Sequence, residues 1–128
     1  MYVLCEEGLS PVAQDLAPLS PTDFHVLLVL AEDDLYGYAI LKAVSDESGG
    51  TVAPEIGSLY RVLARLMGAG LVEEVPAPAE APSTHRGRPR RYYHLTEAGG
   101  AALEADARRL ERALALARER RVVGEVPA

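Results

Sequence analysis

The stretch from Glu55 to Leu95 constrains the fold most, because a helical period gives way there to a strand-like one. Within Gly57–Met67, Leu59, Val62, Leu63 and Leu66 recur at spacings of three and four, the repeat of one helix face. Gly68-Ala69-Gly70 stops that helix. Leu71-Val72-Glu73-Glu74-Val75 then reads as a strand, and Arg90-Arg91-Tyr92-Tyr93-His94-Leu95 as its partner. Strand alternation puts Arg91, Tyr93 and Leu95 on one side and Tyr92 and His94 on the other. Residues 76–89 carry Pro76, Pro78, Pro82 and Pro89 and are too long a link for a tight turn, so a mobile loop is expected. A short helix must therefore sit beside a two-stranded hairpin.

The elements on either side complete a module. The run Phe24-His25-Val26-Leu27-Leu28-Val29-Leu30-Ala31 is nearly all apolar and predicts a helix buried on most sides, capped by Ser20 or Thr22 with Pro21 near its first turn. Asp33-Asp34-Leu35 reads as a turn. Tyr36-Gly37-Tyr38 opens a second helix whose Ile40, Leu41 and Val44 face the core. The two tyrosines read as packing residues. Ser48-Gly49-Gly50 ends that helix, Thr51–Pro54 is an extended link, and the third helix starts between Pro54 and Ser58. Thr96 caps a long last helix that runs to about Arg120. Leu103, Ala107, Leu110, Leu114 and Ala117 line one of its faces, with nothing after them in sequence to cover them; such a stripe finds a partner chain. The expected fold class is mainly α with a small β-hairpin wing: a winged helix-turn-helix plus a long C-terminal dimerisation helix. The expected divisions are an N-terminal arm (1–20), the winged module (21–95), the dimerisation helix (96–121) and a frayed tail (122–128).

Charge is distributed unevenly. The net charge is −6. Residues 1–35 carry Glu6, Glu7, Asp15, Asp23, Glu32, Asp33 and Asp34 and no Lys or Arg, whereas Arg61, Arg65, Arg86, Arg88, Arg90 and Arg91 fall on the third helix and the hairpin. Phosphate contacts need a local basic surface, not a basic whole. The third helix carries Ser58, Arg61 and Arg65 opposite its apolar face, with Tyr60 at the edge; a polar face of this kind suits base edges and phosphates. The plainer reading makes these arginines solvated surface. Arg86-Gly87-Arg88-Pro89 is similar to the core of an AT-hook, in which an extended Arg-Gly-Arg-Pro lies along an A·T-rich minor groove. The alternative there is a flexible loop.

Other chemistries find little support. Cys5 is the single cysteine, so no internal disulfide forms; it is a small apolar residue or a redox or intermolecular thiol. His25, His85 and His94 stand apart from other ligand types, so no metal site is expected. No phosphate-binding glycine loop, nucleophile elbow or activated cysteine appears, and the adjacent acids Asp33-Asp34 and Glu73-Glu74 read as solvated surface; no enzyme and no cofactor is expected. No apolar run reaches the length of a membrane span and no signal peptide opens the chain, which points to the cytoplasm.

Four stretches together resemble the PadR family of bacterial transcriptional regulators. Leu35-Tyr36-Gly37-Tyr38-Ala39-Ile40 is similar to the start of that family's second helix, and Gly57-Ser58-Leu59-Tyr60-Arg61-Val62-Leu63 to its recognition-helix motif. Leu66-Met67-Gly68-Ala69-Gly70-Leu71-Val72 resembles the helix end and first wing strand. Arg91-Tyr92-Tyr93-His94-Leu95-Thr96-Glu97-Ala98-Gly99 resembles the second strand and the start of the last helix. The match runs over about residues 22–120 in order. It departs at Ile56, where the family commonly has Pro, and its single C-terminal helix is that of the shorter members, without a larger effector domain. The resemblance implies a homodimer on a palindromic double-stranded DNA operator, most often a repressor. It also implies release by a small molecule, often aromatic, bound near the dimer interface. It assigns DNA contact to Ser58, Tyr60, Arg61, Arg65 and the wing arginines Arg86, Arg88, Arg90 and Arg91, and assigns no ligand residue. The competing expectation is a winged-helix protein-interaction module without DNA binding, favoured by the acidic N-terminal arm.

Overall fold

The computed structural model describes residues 18–79 and 91–124. The expectations for the N-terminal arm, Cys5, His85 and the Arg86–Pro89 segment lie outside those residues. Among the described residues the chain runs α1 (Pro21–Glu32), β1 (Leu35–Tyr36), α2 (Gly37–Glu47), α3 (Ile56–Gly68), β2 (Val72–Val75), β3 (Tyr92–Leu95) and α4 (Glu97–Glu119).

Each helix starts and stops for a local reason. Ser20 caps α1, its hydroxyl accepting the Asp23 N–H at 3.1 Å, with Pro21 in the first turn where no amide partner is needed. Thr96 caps α4 in the same way, accepting from the Gly99 N–H at 3.0 Å. At the end of α3, Gly70 N–H donates to Met67 O and Leu71 N–H to Leu66 O, both at 3.0 Å, the paired bonds of a Schellman stop. The end of α4 closes likewise: Arg121 N–H reaches Arg118 O at 3.0 Å and Val122 N–H reaches Ala117 O at 2.9 Å. Arg121 takes the left-handed conformation, φ 60°, that this stop requires. Residues 122–124 follow that hydrogen-bonded helix end.

The core forms where α1, α2, α3 and the start of α4 meet. Val26 and Leu27 from α1, Ile40 and Val44 from α2, and Leu59 and Leu63 from α3 are all essentially inaccessible to solvent. Each contributes about 1.5–3 kcal/mol relative to exposure. Within the apolar run of α1, Leu28 faces outward at 38% exposure and Ala31 is exposed as well.

The sheet has three antiparallel strands in the order β1-β3-β2. The hairpin pairs Val72 with Leu95, Glu73 with His94, Glu74 with Tyr93 and Val75 with Tyr92. The third strand corrects the sequence expectation of a turn at Asp33-Asp34-Leu35. Leu35 pairs with Tyr93 and Tyr36 with Tyr92, so β1 covers the outer edge of β3. Strict alternation also fails in β3, since Tyr92 and Tyr93 are both buried. Tyr93 joins the core, while Tyr92 packs edge-on against Tyr36 with ring centres 5.5 Å apart.

One junction ties the wing to the last helix. Thr96 N–H donates to Leu71 O at 3.1 Å and Thr96 Oγ1 donates to Gly70 O at 2.6 Å. Gly99 lies so close that a Cβ there would overlap the Leu71 carbonyl oxygen and stand 2.7 Å from Leu95 Cδ1. The glycine in Thr-Glu-Ala-Gly thus lets the first turn of α4 lie directly on the start of the wing.

Candidate nucleic-acid interface

The third helix presents two chemically distinct faces. Leu59, Leu63 and Leu66 are buried, which turns Tyr60 and Arg61 outward. The Arg61 guanidinium donates to Ser58 Oγ at 3.1 Å. Among the described residues no carboxylate lies within ion-pair distance of Arg61, so its charge remains available to an external anion.

Tyr60 is 44% exposed, and its phenol reaches back over α2. A Cβ on the buried Gly37 would stand 2.6 Å from the Tyr60 hydroxyl oxygen. The two stretches that start α2 and α3 therefore meet in space at Gly37 and Tyr60. The wing joins the same neighbourhood. Burial pushes the Tyr93 phenol pKa up, the nearby Tyr60 and Glu74 add to that rise, and Arg91 opposes it. Arg91 itself is largely exposed and lies 3.8 Å from Glu74, a loose surface pair of small energetic weight.

Arg65 departs from its expected place beside Arg61. Helical spacing puts the two on one face, but the Arg65 guanidinium turns to α1 and makes a bidentate pair with Asp23, both N···O distances 2.9 Å. The hydrogen bonds to Asp23 hold Arg65 above its ordinary pKa. Its partner has only 10% of its side chain exposed, against 59% for Arg65. A buried carboxylate demands a cation, and this demand fixes the arginine. Arg86, Arg88 and Arg90 lie outside the described residues.

The last helix divides into a packed and a free half. Leu103 was expected to face a partner chain; instead it is 8% exposed and belongs to the chain's own core, because α1 covers the first turns of α4. Beyond Asp106 the stripe is open: Ala107 is exposed and Leu110 and Leu114 are 42% and 41% exposed, with Ala117 partly covered. Leu116, absent from the expected stripe, is exposed as well.

A pairing that sequence reading missed joins β3 to the α1–β1 link. His94 Nδ1 lies 2.8 Å from Asp34 Oδ1, and this hydrogen bond raises the histidine pKa above its usual value. The residues are 60 positions apart, so spacing carried no sign of it. Among the described residues no cluster of His, Cys, Asp or Glu is arranged to hold a metal ion, and no helix is long and apolar enough to cross a membrane.

A helix seated by buried leucines, followed at once by a hairpin and preceded by two packed helices, defines a winged helix-turn-helix protein. The chain belongs to the PadR-like family of transcriptional regulators, whose family model matches residues 26–105. Solved structures agree on the fold. A PadR family transcription regulator from Clostridium difficile R20291 superposes with a TM-score of 0.62 at 23% identity, covering 78% of this chain and 97% of that one. A PadR-like transcriptional regulator from Bacillus cereus gives 0.61 at 22% identity, over 80% and 92% of the two chains. A curated relative, an uncharacterised 37.1 kDa protein in transposon TN4556 of Streptomyces fradiae, is 40% identical over 87 residues. That match takes in 68% of this chain, which spans only 22% of the relative's length. The expected fold and family are thereby confirmed: the chain carries the winged helix-turn-helix of the PadR-like family of transcriptional regulators.

Proposed function

We propose that the chain acts as a homodimer on a palindromic operator, as a repressor that a small molecule releases. Each subunit places α3 in a major groove, and the two helices stand about 34–36 Å apart, one turn of DNA. Ser58, Tyr60 and Arg61 face the DNA. Arg91 with Arg86, Arg88 and Arg90 from the wing holds flanking phosphates and the minor groove. The exposed leucines of α4 supply the contact between subunits.

The observation that carries this reading is Arg61 on the solvent face of α3, which donates to Ser58, has no carboxylate within ion-pair distance among the described residues, and lies opposite three buried leucines. A cation placed so, on a helix next to a wing, suits a phosphate or a guanine edge. The open apolar stripe Ala107, Leu110, Leu114 supports the dimer. Release by an aromatic small molecule follows from the family resemblance alone.

Selection of bound duplexes from a randomised DNA pool tests the reading. Recovery of an inverted repeat supports a dimer that reads two half-sites. Absence of enrichment contradicts it and favours a winged helix that binds protein instead.

A further inference from the structure

The charged side chains buried among the described residues, Asp23 and Asp106, serve the same short segment. Asp23 sits in the first turn of α1 and receives both arms of Arg65 from α3 at 2.9 Å. Asp106 projects from α4 and accepts the Leu19 N–H, just ahead of α1, at 3.3 Å. It is steadied by Arg109, whose Nε donates to the same oxygen at 3.0 Å. The start of α1 is therefore gripped on one side by the reading helix and on the other by the last helix. Both grips use carboxylates withdrawn from water. Such contacts are made or broken and do not stretch, since a buried carboxylate without its partner is strongly disfavoured. A bidentate arginine pair also fixes an angle, which a single charge contact does not.

We propose that this joint sets the angle between α3 and α4, and that Asp23 and Arg65 are positioning residues for DNA binding, with Arg65 acting through Asp23 and not on phosphate. The inference rests on the reading that α3 enters the groove and α4 joins the subunits. Under that reading the angle between the two helices decides which half-site spacing the dimer accepts. Loss of the joint leaves the reading face intact and relaxes the spacing.

The experiment uses the full chain and the inverted repeat recovered from the randomised pool, remade with one base pair added to or removed from its centre. Asp23→Asn, Arg65→Met, Arg65→Lys and the Asp23→Asn/Arg65→Met double variant are compared with the parent protein. Circular dichroism and melting confirm folding; Arg65→Lys, at a half-exposed site and with its charge kept, guards against loss of fold. Each variant is expected to lose about tenfold in preference for the parent spacing, the double variant no more than either single one, with the salt dependence of binding unchanged. Arg65→Lys should behave like Arg65→Met, because a point charge does not replace the fork. The proposal is overturned if Asp23→Asn keeps the parent spacing preference. It is equally overturned if Arg65→Lys restores binding while Arg65→Met lowers the salt slope by about one phosphate contact. Parent protein that enriches no DNA or sediments as a monomer overturns the underlying reading, and this inference with it.

Discussion

The phenol oxygen of Tyr60 stands over Gly37, 2.6 Å from where a Cβ on that glycine would lie. The contact ties the start of α3 to the start of α2. A methyl group at position 37 displaces the hydroxyl, and because Tyr60 is a surface side chain it swings outward at little expense to the fold. Gly37→Ala should therefore leave stability within about 1 kcal/mol of the parent and weaken DNA binding about tenfold. In a Tyr60→Ala background the same change should have no further effect. Fluorescence anisotropy on the selected operator, with urea melts of the same four proteins, checks both statements.

Gly99 and Gly100 are neighbours with opposite expectations. A Cβ at Gly99 runs into the Leu71 carbonyl oxygen, part of the backbone and unable to yield. At Gly100 the nearest atom is 3.9 Å away, an ordinary contact. Gly99→Ala should destabilise by about 3 kcal/mol, through overpacking at a fixed backbone. Gly100→Ala should stabilise by up to about 1 kcal/mol, the helix propensity gained when alanine replaces glycine in a helix. Urea denaturation of the two variants separates these outcomes.

The His94–Asp34 pair makes stability depend on pH. Its histidine pKa is raised in the folded state. The stabilisation is thus fully present below the unfolded value of about 6.5 and is lost as pH rises through the raised folded value. The difference in stability between the parent and His94→Asn should be clear at about pH 5.5 and should shrink as pH rises from there through the raised folded value. A difference that stays constant over that window, or grows with pH, would remove the pair as its cause.

Leu110 and Leu114 are the centre of the open stripe on α4. Arginines at both positions should abolish self-association without unfolding the chain, since neither side chain belongs to the core of the subunit. Sedimentation of Leu110→Arg/Leu114→Arg should give monomers, and operator affinity should fall with the dimer. An intact dimer would move the interface elsewhere, with Leu116 the next surface to test.

Local signals were legible in the sequence, and pairings distant along the chain were not. The period of Leu59, Leu63 and Leu66, the caps at Ser20 and Thr96, and the stop at Gly70 are all decided within a few residues. The strand Leu35–Tyr36 is too short to show alternation, and it exists because β3 offers an open edge. Arg65 shares helical spacing with Arg61, yet its guanidinium pairs with Asp23, 42 positions earlier. Leu103 and Leu110 lie on one stripe of α4. Only the packing of α1 determines where the chain's own core ends and the exposed surface begins.

The most direct test of DNA recognition by α3 is the affinity of parent and Arg61→Ala protein for the selected duplex and for a scrambled one, across a range of salt concentrations. The account predicts tight, selective binding by the parent that weakens steeply with salt, and a loss of about 1–3 kcal/mol of that affinity when Arg61 is removed. Equal, weak binding of both duplexes by the parent, or an Arg61→Ala protein indistinguishable from it, would contradict the assignment of α3 as the reading helix.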